Sequence, residues 1–230
     1  MQFTHSDFQD QLVRGLAHRM NNILTLFHGY LGLLTENHSL DKATKEGLAK
    51  IKLGATQATE LMDRTQALVR PSTSVWRAID LAEYLRFLRP GFEQFRGPRT
   101  AIEMEIGEDV PRIQGDAARI KTALVELVKN ACESTFAGGG TVCIRLRGES
   151  VHGQRQRWVL FSVTDDGPGI APEIMEKIFT PFFTMKKKQN AAGLGLALVA
   201  SFAQLHGGSI QLESAPGLTV AELRLPAMSA

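Results

Sequence analysis

The stretch Trp158-Val159-Leu160-Phe161-Ser162-Val163, followed by Asp165-Asp166-Gly167-Pro168-Gly169-Ile170, decides how the chain is read. Its first half is apolar, β-branched and aromatic, the pattern of a buried strand. Its second half puts carboxylates at the strand tip beside glycines that leave backbone exposed. Downstream, Gly193-Leu194-Gly195-Leu196 opens a helix-like run to Leu205 with no Ser or Asp at its cap. Unpaired N–H groups and the positive end of the helix dipole make such a start an anion site. A carboxylate that accepts from a base's amino group, and N–H groups for phosphates, together describe a nucleotide pocket. Taken singly, each stretch is also an ordinary turn.

The upstream run Glu126-Leu127-Val128-Lys129-Asn130 supports the first reading. It lies in the helical pattern Ile120, Ala123, Leu124, Leu127, Val128, Ala131. Glu126 and Asn130, four apart, share one face, with Lys129 three from Glu126. An oxygen pair beside a lysine suits Mg²⁺, which takes one or two protein oxygens and completes its sphere with water and phosphate. The same face read alone is a solvated polar surface.

Four motifs now carry a resemblance. Glu126–Asn130 resembles the N box of the histidine-kinase ATP-binding domain, and Asp165–Ile170 its G1 box. Ile178-Phe179-Thr180-Pro181-Phe182-Phe183-Thr184 resembles the F box, and Gly193–Leu196 the G2 box. The resemblance covers roughly residues 78–226. It implies ATP bound with Mg²⁺, the metal held by Asn130 and by Glu126 directly or through water. It implies Asp165 as acceptor of the adenine amino group, and Gly167, Gly169, Gly193 and Gly195 as points of close backbone approach. Ile170, Phe179, Thr184, Leu194, Leu196, Lys129 and Lys186 belong to the same nucleotide-binding set, Glu126 also having a catalytic role.

Residues 1–70 hold one sustained period. Leu12, Leu16, Met20, Ile23, Phe27, Leu31 and Leu34 step by four or three; Asn37-His38-Ser39 interrupts, and Leu48, Ile51, Ala55, Ala58, Met62, Thr65 and Leu68 resume. The pattern predicts a helical hairpin whose seams exceed what one partner helix buries, so that a dimeric four-helix bundle is expected. His18, two residues from both Leu16 and Met20, is about 200° from each and points away from the seam. Leu16-Ala17-His18-Arg19-Met20-Asn21-Asn22 resembles the phosphoacceptor box of histidine kinases, which implies His18 as nucleophile, with Arg19 and Asn22 beside it in the reaction. The commonest form of that box has an acid where this chain has Arg19. A guanidinium offers no base, but it can pair with a phosphate.

The expected architecture is α+β: a hairpin and phosphoacceptor domain over 1–71, a linker over 72–77 that includes Ser72-Thr73-Ser74 after Pro71, and an ATP-binding α/β sandwich over 78–230. The sandwich is read as a mixed sheet covered on one face by three helices, with Asp80 and Asp116 as helix N-caps, one helix ending at Pro90, and strands at Ala101–Ile106, Thr141–Leu146, Ser209–Glu213 and Leu218–Leu225. Residues 185–192, with Lys186-Lys187-Lys188, are read as a lid. His206 before Gly207-Gly208 reads as a glycine-capped helix C-terminus where a cation is favoured.

The 230 residues are 43% hydrophobic and 22% charged, with a net charge of +2. That is an ordinary globular composition with no basic excess that points to nucleic acid. No apolar run approaches a bilayer span, so no membrane contact is expected from this chain. Cys132 and Cys143 lack metal-ligand spacing and read as core thiols in a reducing, cytoplasmic setting. The resemblance implies a homodimer that phosphorylates His18 and passes the group to a response-regulator receiver domain. Two alternatives are a hydrolytic ATPase of the same superfamily and a degenerate kinase serving as a phosphotransfer or docking scaffold.

Overall fold

The computed structural model describes residues 5–36, 40–68, 75–135, 138–150, 156–185 and 192–228. The expected Asn37–Ser39 loop, the Pro71–Ser74 linker and the lid lysines Lys186–Lys188 lie outside the described residues. The chain divides into two compact units, a helical hairpin and an α/β unit.

The hairpin pairs α1 (His5–Thr35) with α2 (Lys42–Leu68). Asp41 starts α2: its Oδ1 accepts from the Thr44 amide at 2.9 Å and its Oδ2 from the Thr44 hydroxyl at 2.7 Å. Those bonds favour the ionised carboxyl and hold it below its ordinary range. Leu24, Leu31 and Ala55 form the apolar centre, with Leu48, Ala58 and Met62 packed on it. The expected seam is therefore only partly right on α1. Leu16, Ile23, Phe27 and Leu34 are about half exposed or more, as is Ile51 on α2. Leu31 of that seam is buried, but the other buried positions, Ala17 and Leu24, lie one residue beyond Leu16 and Ile23, about 100° round the helix. α1 carries two adjacent apolar stripes; the hairpin buries the one with the smaller Ala17, and the bulkier stripe is left exposed. Among the few polar contacts between the helices, Asn21 Nδ2 donates to Asp63 Oδ1 at 3.2 Å.

The α/β unit begins with β1 (Arg77–Ile79) and α3 (Leu81–Phe92), then β2 (Thr100–Ile106), β3 (Ile113–Gly115) and α4 (Ala117–Thr135). It continues with β4 (Gly140–Ser150), β5 (Arg157–Asp165), the short α5 (Pro172–Met175), α6 (Gly195–Leu205), β6 (Ser209–Ala215) and β7 (Leu218–Pro226). Five strands form one sheet in the order β2-β4-β5-β7-β6, parallel between β2 and β4 and antiparallel elsewhere. Alternate residues such as Val142, Ile144 and Leu146 on β4, and Val159, Phe161 and Val163 on β5, bury against Leu85, Leu124, Leu127, Val128, Val199 and Phe202 from α3, α4 and α6. Each such fully buried side chain contributes about 1.5–3 kcal/mol. The mixed sheet under three helices is the expected sandwich.

Local signals set the ends. Asp80 Oδ1 caps α3 through the Glu83 amide at 3.0 Å, and Asp116 Oδ1 caps α4 through Ala118 at 2.9 Å. α3 does not stop at Pro90 but runs to Phe92. Arg86, Pro90 and their neighbour Arg89 are exposed, so the carbonyl that Pro90 cannot bond faces water. α6 closes as a Schellman turn: Gly208 N–H bonds the Ala203 carbonyl at 2.8 Å, Gly207 N–H that of Gln204 at 3.1 Å, and Gly207 has φ 67°.

His206 departs from the expected cationic cap. It is buried, its Nδ1 lies 2.9 Å from the Phe202 carbonyl, and its Nε2 accepts from the Asp116 amide at 3.4 Å. Only the neutral Nδ1–H tautomer serves both partners, and burial pushes the imidazole below its usual range. The ring thus ties the end of α6 to the start of α4 and makes tilted ring contacts with Phe202 and Trp76. Both cysteines are free thiols; burial raises Cys132 to about 11, whereas Cys143 is only half-buried and is not a core residue.

Candidate functional site

The tip of β5 delivers two acids with different fates. Asp165 is 5% exposed, and its Oδ1 accepts from the Ser134 hydroxyl at 2.6 Å and from the Gly167 amide at 3.0 Å. Asp166 is exposed and turned back on the sheet, its Oδ1 accepting from the Thr141 amide at 2.8 Å. Burial raises the Asp165 carboxyl above its usual range, while the Ser134 and Gly167 bonds oppose that shift. The loop beyond it is clamped to the β6–β7 hairpin. Ile170 N–H donates to Ser214 Oγ at 2.8 Å and Gly217 N–H to the Gly167 carbonyl at 3.1 Å. Gly169 has φ 80°, and a Cβ there would lie 2.5 Å from the Ala215 carbonyl oxygen. Only glycine fits that turn.

α4 and the start of α6 build the other wall. Glu126, 7% exposed, and half-buried Asn130 face the first residue of α6, Gly195. A Cβ on Gly195 would collide with Glu126 Oε2 and lie 3.7 Å from Asn130 Nδ2. The two motifs, 65 residues apart in sequence, therefore meet at a glycine. Leu194, the N-cap residue of α6, gives no capping side chain. The first N–H groups of the helix are thereby left for an anion. Its side chain is wholly buried, so of the expected contacts only its backbone can face a ligand. Leu196 likewise packs against the core. Lys129 Nζ lies 3.9 Å from Glu133 Oε1, a weak i,i+4 pair at the helix surface.

The turn of residues 178–184 clasps the same helix start. Phe182 N–H donates to the Gly193 carbonyl at 2.8 Å. Phe182 has φ 67° and Gly193 φ 65°, so both lie in the left-handed region, one of them without the excuse of being glycine. Phe179 is half-buried in this turn and Thr184 exposed. Lys186 lies outside the described residues. His18, Arg19 and Asn22 are all exposed on α1, in the hairpin.

The α/β unit thus gathers a buried carboxylate, an amide and acid pair on α4, and an uncapped glycine helix start around one place. That donor and acceptor set suits a nucleotide. Sequence reading missed Ser134 and Ser214, since a lone serine near a helix end has no motif. It also missed the positive φ of Phe182, for which no residue-type signal exists. No group of three or more His, Cys, Asp or Glu that could hold a metal occurs among the described residues. One amide and one carboxylate are nonetheless the number of protein oxygens that Mg²⁺ takes when it shares its sphere with phosphate.

Comparison with known proteins agrees with this geometry. CckA, a sensor kinase of Brucella abortus, is 30% identical over 216 residues, covering 90% of this chain and 23% of that protein. NtrB of Vibrio alginolyticus, a sensory histidine kinase/phosphatase, is 30% identical over 220 residues, covering 94% of this chain and 61% of that protein. The chain thus spans less than two thirds of these relatives. Full-length ShkA, solved in complex with AMPPNP, shares the fold across 96% of this chain and 46% of its own, with TM-score 0.72 at 22% identity. The catalytic domain of histidine kinase ThkA matches 66% of this chain and 98% of itself, with TM-score 0.54 at 29% identity. The family of histidine kinase-, DNA gyrase B- and HSP90-like ATPases matches residues 115–229, which hold α4, Asp165, the Phe182 turn and the Gly195 helix start. On the site and the match together, the chain belongs to that family, and its relatives are sensor histidine kinases.

Proposed function

We propose that the chain is the phosphoacceptor and catalytic part of a two-component histidine kinase, divided into a hairpin over 1–71, a linker over 72–77 and an ATP-binding domain over 78–230. The observation that carries this reading is the meeting of Gly195 with Glu126 and Asn130 on the helix whose Ser134, one turn further on, bonds Asp165. ATP lies with its adenine amino group on Asp165 and its phosphates at the start of α6. Asn130 and Glu126 would hold Mg²⁺, which supplies charge neutralisation on the phosphates. The His18 imidazole nitrogen forms the new N–P bond, the bond from the γ-phosphorus to the bridging oxygen breaks, ADP leaves, and the ring gives up a proton. The group then passes to an aspartate of a response-regulator receiver domain. Incubation with γ-labelled ATP is expected to give protein-bound label that is acid-labile and base-stable. Phosphate release with no labelled protein would instead identify a hydrolytic ATPase.

Asp165→Asn is expected to weaken ATP binding by about 1.5–3 kcal/mol, the worth of a hydrogen bond to a charged acceptor. Inosine triphosphate, which carries a keto oxygen where adenine carries the amino group, should lose less. Equal losses in equilibrium binding would remove the adenine contact. Because the carboxyl sits above its usual range, ATP affinity should fall on acidification sooner than an ordinary Asp would dictate.

The exposed stripe Leu16, Ile23, Phe27 and Leu34, joined by Leu26, Tyr30 and Leu33, is the basis for a homodimer through a four-helix bundle. Sedimentation equilibrium should give twice the chain mass, and Ile23→Asp with Phe27→Asp should give the monomer. A monomeric wild-type chain would end the bundle reading. One observation favours a second reading: Arg19 sits where relatives with the commonest box carry an acid, and a scaffold that is phosphorylated by others would need no base there.

A further inference from the structure

We propose that Ser134 is a positioning residue of the nucleotide site, fixing which oxygen of Asp165 meets the base and thereby the preference for adenine. The inference rests on the reading that Asp165 faces adenine.

Ser134 stands four residues after Asn130, one turn along the same face of α4. Its Oγ is 2.6 Å from Asp165 Oδ1, the oxygen that also accepts the Gly167 amide. A Cβ on Gly167 would lie 2.7 Å from both Ser134 Oγ and Asp165 Oδ1, so the absence of a side chain there lets the three groups converge. Among the described residues no protein group donates to Oδ2. The carboxylate is held at one oxygen and offers the other in a fixed direction, as an acceptor only. A base edge that carries an amino group matches it. A keto oxygen at the same place sets lone pair against lone pair.

The hydroxyl has one proton and two acceptors in reach, since the Ala131 carbonyl lies 2.7 Å from Oγ. While Asp165 is ionised, the charge-assisted bond to Oδ1 is the stronger and takes the proton. Ser134 is therefore one of two donors that favour the ionised carboxyl and oppose the upward push of burial. Glu126 and Asn130, the polar residues of the preceding turns of α4, face Gly195 instead. Asp166, the next residue in the chain, is exposed and bonded to Thr141. Among the described residues the other donor to that oxygen is the Gly167 backbone amide, so Ser134 supplies the side-chain bond.

The test compares ATP with inosine triphosphate in equilibrium binding to the full chain, as wild type, Ser134→Ala, Ser134→Thr and Asp165→Asn. Ser134→Ala is expected to lose ATP affinity by about threefold to tenfold, with inosine triphosphate little changed, so that the ratio falls by the same factor. The acid limb of its ATP binding should move to higher pH, because one donor that favours the ionised carboxyl is gone. Ser134→Thr, which keeps the hydroxyl, should restore both. If Ser134→Ala lowers both nucleotides equally, or leaves ratio and pH limb unchanged, the residue is structural and the proposal is overturned. Should the alanine variant fail to fold, Ser134→Cys keeps the volume with a far weaker donor and answers the same question. If Asp165→Asn leaves the ATP preference intact, the adenine reading itself has failed. A collapsed preference in Asp165→Asn with an unmoved Ser134→Ala overturns the present inference alone.

Discussion

His18→Gln is expected to reduce label from γ-labelled ATP to background while leaving the dissociation constant for ATP unchanged. The two halves of that result have separate causes. An amide nitrogen has its lone pair committed to the carbonyl and is no nucleophile, so the covalent step has nothing to begin with. The side chain at position 18 is exposed on α1, and glutamine is a good helix former. Stability should therefore stay within about 0.5 kcal/mol of wild type, as for most surface substitutions. The groups proposed to bind nucleotide, Asp165, Asn130 and Gly195, belong to the α/β unit and not to the hairpin. Label retained at the wild-type level would place the acceptor elsewhere. A matched loss of ATP affinity would mean that the histidine serves binding, not chemistry. Arg19, next in sequence, supplies no base, so the imidazole proton must leave to another acceptor.

The site was more legible in the sequence than the hairpin, for a physical reason. Asp165, Gly169 and Gly195 occupy places where one residue type alone works: a carboxylate acceptor, a left-handed turn against the Ala215 carbonyl, and a helix start pressed on Glu126. Such positions leave a mark in residue identity. The α1 face is different. Leu16, Ile23 and Phe27 share a period with Ala17, Leu24 and Leu31, and periodicity reports that a stripe exists, not which partner covers it. Leu31 belongs to both the expected seam and the buried stripe, whereas at Leu16 and Ile23 the hairpin closes over the neighbouring Ala17 and Leu24. His206 shows a third case: its place at a helix end was legible, but its neutrality follows from contacts with Asp116 and Trp76, which are distant in sequence. β1 and β3, three residues each, pair with one another in a ribbon, with one further bridge from Ile113 to Ala227, and are too short to show a period.

Gly193→Ala is expected to lower ATP affinity by more than tenfold with little change in thermal midpoint, and Gly217→Ala provides its control. Both glycines have positive φ, 65° and 81°. Each substitution therefore carries the cost of a left-handed non-glycine residue, about 1–2 kcal/mol. What differs is the space. A Cβ on Gly217 meets nothing within 4 Å, so no clash adds to the backbone strain there. A Cβ on Gly193 would lie 2.5 Å from the Phe182 carbonyl carbon and 2.6 Å from the Phe183 carbonyl oxygen. Those are backbone atoms, which cannot swing aside as a side chain does. Relief requires the turn of 178–184 to separate from the start of α6, breaking the Phe182 amide bond to the Gly193 carbonyl. That separation also frees Phe182 from its own strained φ, so the broken state is favoured twice over. The strand core does not feel it, because Gly193 and Phe182 lie outside the buried cluster. A calorimetric titration with ATP, run beside a thermal melt, checks the pair. Equal ATP affinity in both variants would show that the clasp between the turn and α6 does not shape the phosphate end of the pocket.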